Sequence, residues 1–117
     1  MNANDGIKEF LHDKVVLIVG ASGSLGSELV KQLLDYPVHS IRAMDSDEYG
    51  LFKLKQKLGD NSKLRLFLGD IRDKDRCRMA MRGADIIINC AALKNLEITE
   101  YNAIECVETN VNGLIHL

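Results

Sequence analysis

The sequence predicts an α/β fold in which helices cover both faces of a doubly wound parallel sheet. Four short β-type runs alternate with segments of helical periodicity, and this alternation is typical of successive βα units. The runs are apolar at consecutive positions, which indicates strands that are buried on both faces. The predicted strands cover residues 15–19, 40–44, 64–68 and 86–89.

The length of the chain limits how many cores it can form. Its 117 residues suffice for one domain but leave little room for a second, so we expect a single domain over residues 1–117. With 46% hydrophobic and 27% charged residues, the composition is that of a folded globular protein. For the type of doubly wound domain that the motifs below indicate, the expected strand order is 3-2-1-4.

The helices are predicted from their apolar spacing. Ile7, Phe10 and Leu11 suggest a short leading helix that lies against the sheet. After the first strand, Leu25, Leu29 and Leu33 recur at helical spacing, as apolar residues do again within 104–115. Turns are expected at 20–23, 36–38, 59–62 and 83–84, where Gly and Pro interrupt these patterns. These stripes indicate core packing and carry no functional information.

Charge and cysteine content exclude several classes of function. The formal net charge of −2, from 15 basic and 17 acidic residues, argues against nucleic acid or anionic lipid as a partner. The apolar runs are far shorter than the roughly 20 residues that cross a bilayer, so we expect a cytoplasmic protein without a membrane partner. Cys77, Cys90 and Cys106 lack metal-site spacing, and we expect reduced thiols and no metal.

A glycine turn follows the first predicted strand directly. Gly20, Gly23 and Gly26 lie between an apolar strand and an amphipathic helix that starts near Ser24. Glycines at this place let backbone N–H groups approach a pyrophosphate, while the helix N-terminus faces the anion. The order strand, glycine turn and helix therefore predicts a dinucleotide-binding Rossmann fold. Residues 20–26 that we expect to contact the cofactor are Gly20, Ser22, Gly23, Ser24, Leu25 and Gly26, the serine hydroxyls through phosphate oxygens.

An acidic residue closes the second predicted strand. Asp45 stands where a carboxylate would accept hydrogen bonds from the adenosine ribose and repel a 2′-phosphate, and Ser46 follows it. Arg42 is close in sequence but lies inside the strand. We therefore expect NAD in preference to NADP. The alternative is that Asp45 only caps the next helix, a role that Ser46 and Asp47 could equally fill.

A second acidic residue follows the third strand. In the sequence Gly69-Asp70-Ile71, the Asp70 carboxylate would accept the adenine amino group while Ile71 packs on the ring. An ordinary surface turn is the competing interpretation.

The glycine spacing resembles that of the short-chain dehydrogenase/reductase superfamily, and the second half of the chain resembles one of its extended branches. The segments that carry this likeness are Asn89-Cys90-Ala91-Ala92-Leu93-Lys94, Glu100-Tyr101-Asn102, Glu105 and Thr109-Asn110-Val111-Asn112-Gly113. They are similar to the CapD-like polysaccharide biosynthesis family, which contains nucleotide-sugar 4,6-dehydratases and epimerases that act typically on UDP-N-acetylglucosamine.

The resemblance implies roles for four further residues. Ala91 and Ala92 would line the nicotinamide ribose, Lys94 would contact cofactor or substrate, and Asn110 would brace the active-site backbone. The chain departs from the family where Asn95, Leu96 and Glu97 follow this lysine, in place of the usual His, Val and Pro, so its substrate need not be the family's usual one. It also lacks the Ser-Arg pair that many relatives place at 45 and 46, which favours NAD.

The resemblance also implies that the catalytic Tyr-x-x-x-Lys pair lies on later strands, beyond these residues. Tyr49 and Lys53 have that spacing but follow the second strand, and we interpret them as a coincidence. The chain is thus expected to be the cofactor-binding N-terminal portion of an enzyme, inactive alone and without catalytic residues of its own. Its last strand would lie at an open edge, which predicts a homo-oligomer. The alternative function is a free-standing NAD-sensing or partner-binding module.

Overall fold

The computed structural model describes residues 3–91, with the side chains described from residue 5 onward. Helices and strands alternate along this part of the chain. Their order is α1 (Ala3–Leu11), β1 (Val15–Val19), α2 (Ser24–Leu33), β2 (Ser40–Asp45), α3 (Glu48–Leu58), β3 (Leu64–Leu68), α4 (Lys74–Met81) and β4 (Ile86–Asn89). All four predicted strands are confirmed, and β2 extends one residue further, to Asp45.

The four strands form one parallel sheet in the order β3-β2-β1-β4, as the sequence predicts. The order reverses between β1 and its neighbours β2 and β4, which makes the carboxyl ends of these strands the topological switch point. In open α/β sheets, ligands bind in the crevice outside this edge. The fold therefore places the glycine turn, which follows β1, beside the residues that follow β2, β3 and β4.

Helices cover the two faces of the sheet unequally. One core cluster joins α1, α2 and α3 to one face, with Val16, Ile18 and Ile41 fully buried beneath them. The other cluster places Cys77 and Ala80 of α4 over the opposite face. This is the doubly wound arrangement, with the crossover from β3 to β4 passing over the second face.

Two expectations about burial need correction. Strand β3 is not buried on both faces: Leu66 and Leu68 are 36% and 43% exposed, because β3 lies at an edge of the described sheet. The leading helix forms, but only Leu11 enters the core, while Ile7 and Phe10 are exposed. An apolar run thus predicted each element correctly but overstated how much of it is covered.

Arg42 has a structural place in this packing. Its guanidinium donates hydrogen bonds from β2 to the carbonyl oxygens of Ala80, at 2.7 Å, and Arg82. These groups belong to the end of α4, where carbonyls lack helical partners and a positive charge is favourable. Arg42 therefore stabilises α4 on the sheet, which agrees with the expectation that it does not reach a phosphate.

Candidate functional site

The carboxyl edge of the sheet contains two neighbouring cavities of about 360 and 460 Å³, which share Gly20, Asp45, Ser46 and Ala91. The first is lined by the glycine turn and the second by the turn after β3. Every predicted site residue within the described part of the chain lines one or both of these cavities. Those residues are Gly20, Ser22, Gly23, Ser24, Leu25, Gly26, Asp45, Ser46, Asp70, Ile71 and Ala91.

Two glycines of the glycine turn, Gly20 and Gly26, lie in backbone contacts that leave no space for a side chain. Gly20 has a φ of 78°, and a Cβ at this position would lie 2.5 Å from the Ala91 nitrogen. A Cβ at Gly26 would lie 2.2 Å from the Gly20 carbonyl oxygen. Helix α2 can therefore approach the end of β1 only because Gly26 has no Cβ, and the chain after β4 can pass close to Gly20 only because Gly20 has none.

Gly23 differs from the other two glycines. A Cβ there would meet only the Gly20 oxygen, at an ordinary 3.5 Å, so the protein itself does not require glycine at this position. Gly23 is the N-cap of α2 and makes no side-chain cap hydrogen bond, and the first turn of the helix has no acidic residue. An uncapped helix N-terminus beside an open cavity has the donors and the dipole orientation that suit an anion.

Asp45 is fixed by contacts from both sides. Its Oδ2 accepts hydrogen bonds from the Ser22 backbone N–H at 3.0 Å and the Ser22 hydroxyl at 2.7 Å, while Oδ1 accepts the Asp47 N–H at 3.0 Å. The N-cap of α3 is Asp47, whose side chain accepts from the Gly50 N–H. The alternative that Asp45 is the helix cap is therefore wrong. Asp45 instead connects the glycine turn to the start of α3.

Asp70 lies in a turn that is also held by its neighbours. Its carboxylate forms a bidentate pair with Arg72, with 2.9 Å between Arg72 Nη2 and Asp70 Oδ2, and it accepts the Arg72 backbone N–H. Ile71 packs against the core cluster beneath α4 while it also lines the second cavity. The segment is a turn, as the competing interpretation held, and it lies at the cavity.

Sequence reasoning missed two groups at this edge. Asn89 is 4% exposed, and its side-chain oxygen accepts the Ala91 N–H at 3.0 Å, which shapes the chain just after β4. Cys90 lines the first cavity, and burial raises the pKa of its thiol. The signal for Asn89 was present, since it is the polar residue that ends a run of three isoleucines.

Three predicted contacts, at Ala92, Lys94 and Asn110, lie outside the described residues. Tyr49 and Lys53 are on the same helix, with the Lys53 Nζ 5.3 Å from the centre of the Tyr49 ring. The Tyr49 side chain is exposed, and neither residue lines the two cavities.

A separate groove of about 610 Å³ lies between the end of α3 and β3, lined by Lys55, residues 59–62 and residues 64–66. It contains none of the predicted site residues. Within residues 3–91, no group of three or more His, Cys, Asp or Glu side chains could hold a metal ion. In the same range, no helix has the length and apolar character needed to span a membrane.

The chain belongs to a known family. The family model described as polysaccharide biosynthesis protein matches residues 16–117. Among curated relatives, an uncharacterized membrane protein of Methanocaldococcus jannaschii is 43% identical over 95% of this chain, and a UDP-N-acetylglucosamine 4,6-dehydratase (inverting) of Campylobacter jejuni is 40% identical over 86%. A UDP-glucose 4-epimerase of Rickettsia prowazekii is 32% identical over 86%. The chain spans about a third of these relatives, namely 33%, 30% and 30% of their lengths.

Solved structures have the same fold. The structure of Pen from Bacillus thuringiensis matches with a TM-score of 0.69 and 35% identity, over 82% of this chain and 30% of that one. A short-chain dehydrogenase/reductase from Veillonella parvula in complex with NADP gives 0.57 and 18%, over 65% and 34%. The Bordetella bronchiseptica enzyme WbmF in complex with NAD+ gives 0.55 and 23%, over 68% and 23%. These neighbours confirm the truncated Rossmann-like fold.

Proposed function

We propose that this chain binds NAD at the carboxyl edge of its sheet and serves as the cofactor domain of a nucleotide-sugar dehydratase or epimerase. The observation that carries the proposal is the glycine turn, where α2 approaches β1 without side chains and its uncapped N-terminus lies at a cavity of about 360 Å³. Sequence similarity to a UDP-N-acetylglucosamine 4,6-dehydratase and a UDP-glucose 4-epimerase supports the reaction class.

The glycine turn fits the pyrophosphate of a dinucleotide. Gly23 has space on its cavity side, so a phosphate can approach its backbone closely. The hydroxyl of Ser24 and the first-turn N–H groups of α2 would donate to the phosphate oxygens, and Leu25, which is 41% exposed, would shield them from water. Ser22 would contribute through its backbone, because its hydroxyl already donates to Asp45.

Asp45 supports the choice of NAD. The Ser22 and Asp47 donors hold its carboxylate at the rim that both cavities share. A ribose with free hydroxyls can donate to such a carboxylate, whereas a 2′-phosphate beside it would be repelled. Ser46 would complete the ribose site.

The adenine would occupy the second cavity. Asp70 and Ile71 line it together with Ala91, so that a carboxylate and an apolar side chain face the same space. The carboxylate would accept the adenine amino group and Ile71 would contact the ring. When bound, NAD would supply reversible hydride transfer, and every catalytic acid or base would come from residues outside this chain.

The substrate contacts, the cellular location and the oligomeric state are also part of this proposal. Ala92, Lys94 and Asn110 would complete the nicotinamide and substrate side, with a nucleotide sugar such as UDP-N-acetylglucosamine as the partner. A cytoplasmic location, association into a homo-oligomer and an inactive isolated chain stay predictions. An NAD-sensing module would use the same cavity residues, and only turnover by the longer protein separates the two functions.

Calorimetric titration of the purified chain with NAD and with NADP tests the proposal. We expect NAD to bind with an affinity tighter than roughly millimolar, about 4 kcal/mol, and more tightly than NADP. Circular dichroism of the same sample verifies that the chain is folded. If a folded chain binds neither dinucleotide, the proposal is wrong.

A further inference from the structure

The residue that most directly holds the adenine-side turn comes from α4 and lies outside every motif in the sequence. Arg76 is half-buried, and its guanidinium donates two hydrogen bonds to the Leu68 carbonyl oxygen, from Nε at 3.1 Å and from Nη2 at 2.8 Å. Its Cζ also lies 4.2 Å from the centre of the Phe67 ring. Arg76 therefore contacts the end of β3 through both Phe67 and Leu68, immediately before Gly69 and Asp70.

The backbone at Gly69 is also held by contacts other than those of the Arg76 guanidinium. A Cβ at Gly69 would lie 3.0 Å from Met44 Cε and 3.1 Å from Arg76 Cγ, so the backbone passes tightly between these two side chains. The Gly69 N–H donates to the Asp45 carbonyl at 3.0 Å. The position of Asp70 is thus set by the β2 backbone on one side and by Arg76 on the other.

The connection from α4 back to this turn is short and rigid. Asp73 caps α4 by accepting the Arg76 N–H at 3.1 Å, and its own N–H donates to the Asp70 carbonyl at 2.9 Å. Arg76 is therefore tied to Asp70 through the helix cap as well as through Leu68. The guanidinium itself fixes the Leu68 end of this turn, two residues before the carboxylate that lines the second cavity.

We infer that Arg76 is a positioning residue that sets adenine selectivity through the turn of residues 68–70. This inference rests on the proposed function, since the ligand is the adenine of the dinucleotide. A fork of two donors on one carbonyl, with the guanidinium over an aromatic ring, is a geometry that arginine supports and lysine does not. Arg76 itself does not need to touch the nucleotide.

The test compares NAD with nicotinamide hypoxanthine dinucleotide in the full chain by calorimetry. Hypoxanthine has a carbonyl oxygen in place of the amino group, so a well-placed Asp70 should reject it. We expect the wild type to favour NAD by about tenfold and Arg76→Ala to lose most of that ratio. Arg76→Lys, which keeps the charge and most of the stem and should fold, should lose about half of it on a logarithmic scale.

Arg78→Ala is the matched control. Arg78 lies on the same helix and is exposed, 3.5 Å from the Asp75 carboxylate, so its loss should leave the ratio unchanged. Amide hydrogen exchange of Gly69 gives a second readout without ligand, and it should quicken in both Arg76 variants but not in Arg78→Ala. If folded wild type binds neither dinucleotide, the proposed function and this inference both fail. If wild type prefers NAD and both Arg76 variants keep the same ratio, only this inference is overturned.

Discussion

The glycine turn of residues 20–26 and the acidic rim formed by Asp45 and Asp70 lie at the same edge of the sheet but are built in different ways. The turn depends on backbone contacts so close that a single Cβ would overlap carbonyl or amide atoms. The rim depends on side-chain hydrogen bonds between carboxylates and nearby donors. The structure of the turn depends on glycines that have no Cβ, whereas the structure of the rim depends on hydrogen bonds to its carboxylates.

This difference indicates which properties each region can control. Substitutions in the turn should disturb folding and binding together, because the same contact that seats α2 also forms the phosphate site. Substitutions in the rim should preserve the fold and change which nucleotide is favoured, since a carboxylate can lose its charge without displacing a helix.

The largest effect is expected at Gly26. In Gly26→Ala, the new Cβ would overlap the Gly20 carbonyl, and a clash between two backbone segments cannot be relieved by a rotamer change. We expect a loss of about 3 kcal/mol or more in the free energy of unfolding, with NAD binding abolished. Urea denaturation measures the first and calorimetry the second.

Gly6→Ala is the control for this prediction. Gly6 lies inside α1, and a Cβ there would meet nothing within 4 Å. The substitution should stabilise the chain by roughly 0.5–1 kcal/mol through helix propensity. If Gly26→Ala were as stable as the wild type, the contrast between the turn and the rim would be lost.

The next effect is on cofactor choice at Asp45. Asp45→Asn keeps the shape and an acceptor oxygen but removes the negative charge. We expect NAD to bind about tenfold more weakly and NADP to bind more tightly than it does to the wild type. Both carboxylate oxygens accept hydrogen bonds and an amide offers only one acceptor oxygen, so we also expect a cost of about 1 kcal/mol or more in unfolding free energy. Parallel titrations with both cofactors give the ratio. An equal loss for NAD and NADP would mean that the charge does not select between them.

A smaller effect is expected at Ser22, where the turn and the rim meet. Ser22→Ala removes the 2.7 Å hydrogen bond from the Ser22 hydroxyl to Asp45 and leaves the backbone donor in place. We expect a cost of about 1 kcal/mol in stability and about threefold in NAD affinity. Ser27→Ala is the control, because that hydroxyl donates to the Ser24 carbonyl, 3.3 Å away, and does not reach Asp45. Equal effects of the two substitutions would contradict the coupling.

The smallest effect concerns two buried cysteines, Cys90 beside the glycine turn and Cys77 beside Asp70. Burial raises the pKa of both thiols, and for Cys77 the negative charges of Asp73 and Asp70 raise it further. Removing the charge in Asp70→Asn should therefore lower the pKa of Cys77 slightly and leave that of Cys90 unchanged. Rates of iodoacetamide labelling against pH, resolved by peptide mass spectrometry, measure both. A shift at Cys90 alone would contradict the assignment.

The same shifts give stability a direction with pH. Because the folded-state pKa of each thiol lies above the unfolded value near 9.0, the folded chain holds these protons more tightly. Their contribution is complete below that pH and is lost as pH rises through the folded-state values. The decline in unfolding free energy between pH 8 and 10 should be shallower in Cys90→Ala than in the wild type.

The sequence predicted the fold because strand and turn signals are local. The strand bounds and the α2 start at Ser24 depend on short apolar runs and on glycine, whereas the strand order was expected from the likeness to a dinucleotide-binding domain. The contacts of the rim depend instead on side chains that meet only in the folded sheet. The Ser22–Asp45 hydrogen bonds span 23 residues, so their partners could not be chosen from spacing.

The role of Arg76 was hidden for the same reason. Its two hydrogen bonds reach back eight residues to a backbone carbonyl, an acceptor that every residue offers, so the sequence gives no sign of which one is used. Exposure of Leu66 and Leu68 was likewise unpredictable, because an apolar run does not reveal whether its strand is central or at an edge.

The most direct test of the central claim is an NMR titration of the ¹⁵N-labelled chain with NAD. We predict shifts concentrated in residues 20–26 of the glycine turn, at Asp45 and Ser46, and in residues 69–71. Amides at the separate groove of about 610 Å³, near Lys55 and residues 59–66, should stay unchanged. Shifts confined to that groove, or none in a folded chain at millimolar NAD, would contradict a dinucleotide site at the carboxyl edge of the sheet.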